Sequence, residues 1–197
     1  MSYQYAWVFT FLWLMFCVLW AARSLVVRKN KKYAKDKRLV DKNLRYKIIS
    51  NLVFLLQITL TIPMFWIFSP YLLQFHTDDR FRILGFIFCY FGLFLSVISL
   101  VYLGRNYSPC FDSHIPFKLI TNGPYKYIRH PGWLSKFIVG IGGILVSGSW
   151  WFIPVLLWLY IEMRRTISIE EAYLLDNFSD YKSYRDKTFC KKAIPFG

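Results

Sequence analysis

Residues 129–171 read RHPGWLSKFIVGIGGILVSGSWWFIPVLLWLYIEMRRTISIEE. Two polar segments enclose a run, 137–161, that carries no charged side chain. The run is interrupted at Ser147-Gly148-Ser149, and Pro154 follows soon after. Gly and Ser suit a tight turn between helices, and Pro is tolerated in a first helical turn. The stretch therefore predicts a helical hairpin with arms 133–147 and 150–163. A hairpin returns its two ends to one side, so His130 and Glu170, forty residues apart in sequence, can share a site.

Outward from this hairpin, three further runs lack charge: 5–22, 48–75 and 83–104. Each is near the roughly 20 residues a helix needs to cross hydrocarbon, and inside lipid a helix satisfies its own backbone hydrogen bonds. The 56% hydrophobic and 21% aromatic content exceeds that of ordinary soluble domains. The expected fold is an all-α integral membrane protein of about five transmembrane helices, the last two forming the short hairpin. Residues 1–103 would hold three membrane helices, and 104–197 a second unit with the catalytic elements. After 163 the last helix is expected to continue through Asn177, on the spacing of Ile167, Leu174, Leu175 and Phe178. Residues 105–129, with Pro109, Pro116 and Pro124, read as loop.

The net charge of +14 is placed so as to argue against nucleic acid. Ten Lys or Arg lie in 28–47 against Asp36 and Asp41, directly between the first two runs. Such an excess marks a cytoplasmic loop and attracts anionic lipid headgroups. The N-terminus is then outside and the C-terminus cytoplasmic, as the basic tail from Arg164 onward also requires. The first run has no basic residue before it and is read as a retained anchor, not a cleaved signal. Cys17, Cys89, Cys110 and Cys190 show no metal or disulfide spacing, and no metal site is expected. His76 and His114 read as ordinary loop histidines.

Chemistry concentrates at the hairpin ends. Pro131 suits a first helical turn, and amides at that helix start, beside Arg129 and His130, would attract an anion such as a cofactor carboxylate. Glu170 and Glu171 are about 100° apart on a helix, so one can face the bundle while the other faces solvent. Gly140, Gly142 and Gly143 resemble a nucleotide-binding loop, but without a preceding strand they are better read as close helix packing.

The segments GPYKYIRHPGW (123–133), RRTISIEEAYLLDNFSDYKSY (164–184) and IPF (194–196), preceded by LGRNYSP and LITNGPY, resemble the isoprenylcysteine carboxyl methyltransferase family. That family lies within a wider set including phospholipid N-methyltransferases. The resemblance covers roughly 100–197. It implies an S-adenosylmethionine pocket on the cytoplasmic side, between the loop before the hairpin and the helix after it. Tyr125, Arg129, His130 and Pro131 would line that pocket, Glu170 would hold the cofactor or order the site, and Glu171 would support it. Arg165 matches an arginine implicated in catalysis, which would orient an anionic acceptor. The family usually has Tyr where this chain has Trp133 and Gly where it has Ser135. The expected activity is methyl transfer to a lipophilic acceptor, carboxylate favoured, in a bacterial inner membrane or the endoplasmic reticulum. A nicotinamide-dependent reductase related to sterol reductases and a non-enzymatic membrane protein are the competing readings.

Overall fold

A computed structural model describes residues 3–31, 78–107, 118–148, 150 and 152–188. Five α-helices occur among them: α1 (Tyr3–Lys31), α2 (Asp79–Leu103), α3 (Pro131–Ser147), α4 (Phe152–Asn177) and α5 (Tyr181–Lys187). Two short 3-10 turns, Gly104–Asn106 and Gly123–Lys126, lie between α2 and α3. No strand occurs among the described residues. The expected span within 48–75, most of the basic 28–47 loop, His76, His114, Cys110, Cys190 and the final IPF lie outside them.

The hairpin is present. Gly148 ends α3 in the left-handed conformation, φ 62°, and its N–H donates to the Ile144 carbonyl. A residue without Cβ adopts that conformation at no steric cost. Phe137 and Tyr160 meet edge to face across the hairpin, with centroids 6.1 Å apart. The second arm runs unbroken from Phe152 to Asn177, so one helix carries both the apolar arm and the paired glutamates.

α2 is the described helix long and apolar enough to cross a membrane; Leu14–Val26 and Pro131–Ser147 are shorter apolar helices. It begins at Asp79, four residues before the uncharged run, because the Asp78 carboxylate caps it by accepting the Arg80 N–H at 2.8 Å. Residues 79–82, ahead of the uncharged run, are therefore helical. One face of α2 buries small residues together with Phe86, Leu93 and Leu100, and the other is apolar and exposed. Gly85, Cys89, Gly92, Ser96 and Ser99 are buried, whereas Ile83, Ile87, Phe91, Phe94 and Val101 are exposed. Small residues inside and large apolar ones outside are what a lipid-facing helix requires, since close packing rather than hydrophobicity drives helix association there.

The small residues zip α2 antiparallel to α3. A Cβ added at Gly85 would meet the Val146 nitrogen at 2.6 Å and the Gly142 oxygen at 2.7 Å. One at Gly92 would meet the Ser135 oxygen at 2.8 Å. Gly142 thus serves helix packing and not a phosphate. Ser135 is buried in the same seam and folds its hydroxyl back to the Gly132 carbonyl at 2.7 Å. The unit boundary expected at 103/104 separates two helices that pack along one another. α1 lies parallel to α2, joined by the Tyr90 hydroxyl donating to the Leu12 carbonyl at 2.7 Å and by Arg23 Nε donating to Ser96 Oγ at 2.6 Å.

Replacing Gly85 by Ala forces a methyl against backbone atoms that cannot rotate away. We expect a loss of about 1–3 kcal/mol, read as a lower melting temperature in detergent. Gly132→Ala, where an added Cβ meets nothing within 4 Å, serves as the comparison.

Candidate active site

His130 caps the start of α3 with its backbone in neither helical nor extended conformation, and Pro131 follows as the first helical residue. The loop reaches it through the 3-10 turn 123–126. Gly123 has φ 60°, and a Cβ there would lie 2.5 Å from the Tyr102 ring. Only Gly satisfies both conditions. This turn buries Tyr125, whose carbonyl accepts a hydrogen bond from the Tyr184 hydroxyl at 2.6 Å. α5 is thereby fastened over the loop.

The imidazole of His130 lies between the two glutamates of α4. Its Nδ1 is 3.2 Å from Glu170 Oε2, and its Nε2 is 3.0 Å from Glu171 Oε1. Arg129 Nη1 reaches the same Glu171 oxygen at 3.0 Å. The Arg129, His130, Glu170 and Glu171 side chains are 4, 10, 20 and 13% exposed, so the cluster is largely withdrawn from water. Both glutamates turn inward, where helix geometry alone allows one of them to face solvent. The imidazole accounts for this, since its two nitrogens point to opposite sides and each takes one carboxylate.

Charged carboxylates only accept, so a ring facing one at each nitrogen is suited to donate from both. That requires the imidazolium. Burial alone would lower the His130 pKa. The Glu170 charge and the hydrogen bonds from both glutamates outweigh it and raise the pKa to about 9. Burial likewise works against the Glu171 anion, but His130 and then Arg129 hold its pKa below the usual 4.5. The Tyr181 hydroxyl contributes from nearby without hydrogen-bond geometry.

The cluster forms one wall of an open cleft. Tyr125, Arg129, His130 and Glu170 line it. Pro131 is fully buried and sets the helix start, and Glu171 stands behind the wall, clamping Arg129 and His130. The expectation of open amides at the start of α3 is met in part, because the Trp133 N–H is engaged by the His130 carbonyl at 3.0 Å. Trp133 lines the cleft, with Lys136 Nζ 3.7 Å from its ring centroid.

Arg165 stands apart from this cluster. Its side chain is exposed and is not part of the cleft lining. Five residues carry it about 140° around the helix from Glu170, so the two face different directions. The sequence reading also missed Arg23, Ser96, Ser99, Tyr107 and Tyr181, all of which line the cleft. A signal existed for two of them: serines three apart within an apolar run are polar groups on one helix face.

The profile of the family described as phospholipid methyltransferase matches residues 81–181, and this chain belongs to that family. The match includes α2, which lies before the region of motif resemblance. Protein-S-isoprenylcysteine O-methyltransferase of Schizosaccharomyces pombe is 34% identical over 102 residues, 49% of this chain and 42% of the yeast protein. The match therefore spans less than half of that relative. The fold is shared with a solved structure of the eukaryotic intramembrane Ras methyltransferase ICMT (isoprenylcysteine carboxyl methyltransferase). That likeness has a TM-score of 0.52 at 21% identity, covering 76% of this chain and 52% of the other.

The titrations define a pH window. The raised pKa of His130 gives stability that is complete below about 6.5 and lost as pH rises through about 9. The lowered pKa of Glu171 gives stability present above 4.5 and lost as pH falls through its folded value. Thermal melting should therefore show an alkaline decline toward pH 9 that His130→Gln removes. A decline of equal size in that variant would assign it to another group. Glu171→Ala strands two cations and should cost about 3 kcal/mol.

Proposed function

We propose that this chain is a multi-pass integral membrane methyltransferase that uses S-adenosylmethionine and methylates a carboxylate on a lipophilic acceptor. The observation that carries the reading is the Arg129–His130–Glu170–Glu171 cluster on the wall of a cleft, in a chain of the phospholipid methyltransferase family. The relative whose name specifies the acceptor is an isoprenylcysteine O-methyltransferase, which favours a carboxylate over an amine.

The residues fit the cofactor. Arg129 Nε and the Tyr181 hydroxyl are buried polar atoms with no hydrogen-bond partner among the described residues, and both residues line the cleft. Buried polar groups are normally satisfied, so the pair is suited to a polar ligand. The cofactor carries an ammonium, a carboxylate and ribose hydroxyls. Glu170 would hold the ammonium, Arg129 and His130 would face the carboxylate, and Tyr125 would pack beside it. Glu171 acts through Arg129 and His130 by fixing their side chains.

When bound, S-adenosylmethionine supplies a methyl carbon on a sulfonium sulfur; transfer forms an O–C bond to the acceptor, returns the C–S electron pair to sulfur and moves no proton. The protein then needs no general base. Its task is to hold both partners in register, an effect worth about 7–11 kcal/mol in favourable cases, and to exclude water from the acceptor oxygen. A cleft beside the lipid-facing helix α2 suits an acceptor that enters from the bilayer.

The membrane reading rests on the exposed apolar face of α2. The N-terminus outside, the C-terminus cytoplasmic, and headgroup contact by the basic 28–47 segment follow from the placement of Lys and Arg. The endoplasmic reticulum or a bacterial inner membrane fits this orientation.

The test is transfer of radiolabelled methyl groups to N-acetyl-S-farnesylcysteine by protein in lipid nanodiscs. Loss of a hydrogen bond to a charged group costs about 1.5–3 kcal/mol, so Glu170→Ala should weaken cofactor binding by about 10–100-fold and reduce labelling accordingly. Equal labelling by wild type and variant would overturn the assigned site.

A further inference from the structure

Arg23 stands on α1, outside the family match at 81–181, yet its side chain lines the same cleft as His130 and Glu170. Its surroundings orient it without neutralising it. Nε donates to Ser96 Oγ at 2.6 Å, the guanidinium carbon lies 4.8 Å from the Trp20 ring centroid, and the Tyr107 hydroxyl is within hydrogen-bonding reach. Among the described residues no carboxylate forms an ion pair with it. Arg129, the buried guanidinium of the same cleft, is paired with Glu171, and Glu170, the one carboxylate among the described residues that line the cleft, faces His130.

Arg23 is half-buried; a cation partly withdrawn from water without a counter-charge is costly, and ionisable groups in membrane helices are commonly functional. Ser, Tyr and an indole face can solvate a guanidinium, but they bring no negative charge. Its planar fork matches a carboxylate in two parallel hydrogen bonds. Lys118 and Lys136 add positive charge to the same cleft. Leu19, one turn before Arg23 on α1, is an exposed apolar side chain, so the cation adjoins a surface on which a lipid tail can lie.

We propose that Arg23 is the acceptor-binding residue of this site, receiving the carboxylate of an amphiphilic substrate at the end of the cleft formed by α1 and α2. The proposal rests on the methyltransferase reading for what the bound acid becomes. It moves to α1 the anion-orienting role that the sequence suggested for Arg165. It also assigns acceptor choice to a helix outside the matched core, so cofactor and acceptor recognition are separable. The product ester has no negative charge and loses its attraction to Arg23, which favours its departure into the bilayer.

The experiment compares equilibrium binding of N-acetyl-S-farnesylcysteine with that of its uncharged carboxamide, in nanodiscs, alongside cofactor binding to the same preparations. Wild type should prefer the acid by about 10–100-fold, the range of a charge-assisted hydrogen bond. Arg23→Gln should abolish that preference, raise the KM for the acid by a similar factor and leave cofactor affinity within about twofold. Arg23→Lys should retain part of the preference. Ser96→Ala, which keeps the cation and removes its tether, should reduce it by a smaller factor. Acid preference preserved in Arg23→Gln, no preference in wild type, or equal loss of cofactor and acid binding would each overturn the proposal. Wild type that prefers the acid but binds no S-adenosylmethionine would reject the methyltransferase reading and leave Arg23 as an anion site.

Discussion

An imidazole held between adjacent carboxylates joins the start of α3 to the middle of α4, forty residues further along the chain. Every other feature of the site depends on that clamp. It draws both glutamates inward, fixes the side of the loop that carries Arg129, and sets the wall against which Tyr125 and Tyr181 close the cleft. The clamp is an arrangement of charges and not an apolar contact. Two carboxylates are opposed by an arginine and an imidazolium, so the local charge balances and the burial is tolerable. Removing one member leaves the rest uncompensated, which makes the four residues a unit.

The clamp forms only because the backbone beneath it is constrained. Gly148 turns the hairpin so that both ends emerge together. The glycines of α2 and α3 bring those helices to backbone contact, leaving little room for one to slide along the other. Gly123 lets the loop pass beneath Tyr102 and present Tyr125. These glycines, each at a position where a Cβ is excluded or strained, thus fix where the ionisable groups meet.

Much of this was legible in the sequence. The hairpin followed from a charge-free run broken by Ser-Gly-Ser, and the continuation of α4 to Asn177 from helical spacing. The pairing of His130 with Glu170 followed from the hairpin itself. The ends of α2 were less legible, because an Asp78 cap starts a helix ahead of its apolar run. Within the site, motif likeness pointed to residues of the loop and of α4 that the structure brings to one cleft and to Arg165, which it does not, since likeness says nothing about which way a helix faces. The inward turn of both glutamates was hidden because a 100° separation on a helix ordinarily divides two side chains between surfaces. Arg23 was hidden for another reason. It is the first cation after an apolar run, where an arginine usually marks the end of a membrane segment. Only the packing of α1 against Ser96 separates that role from a place in the cleft.

The arm that Gly148 terminates has one more consequence. α3 comprises 17 residues and rises about 25 Å at about 1.5 Å per residue, less than the roughly 30 Å of a typical hydrocarbon core. Trp150, 53% exposed at the turn, is the kind of side chain that settles at a headgroup boundary. In the membrane setting proposed above, a bilayer around the hairpin would pinch toward that indole, at a cost that grows with each ångström of thickness. The protein should be most at ease in thin, sterol-poor membranes, and lipid composition would then determine where in a cell it accumulates.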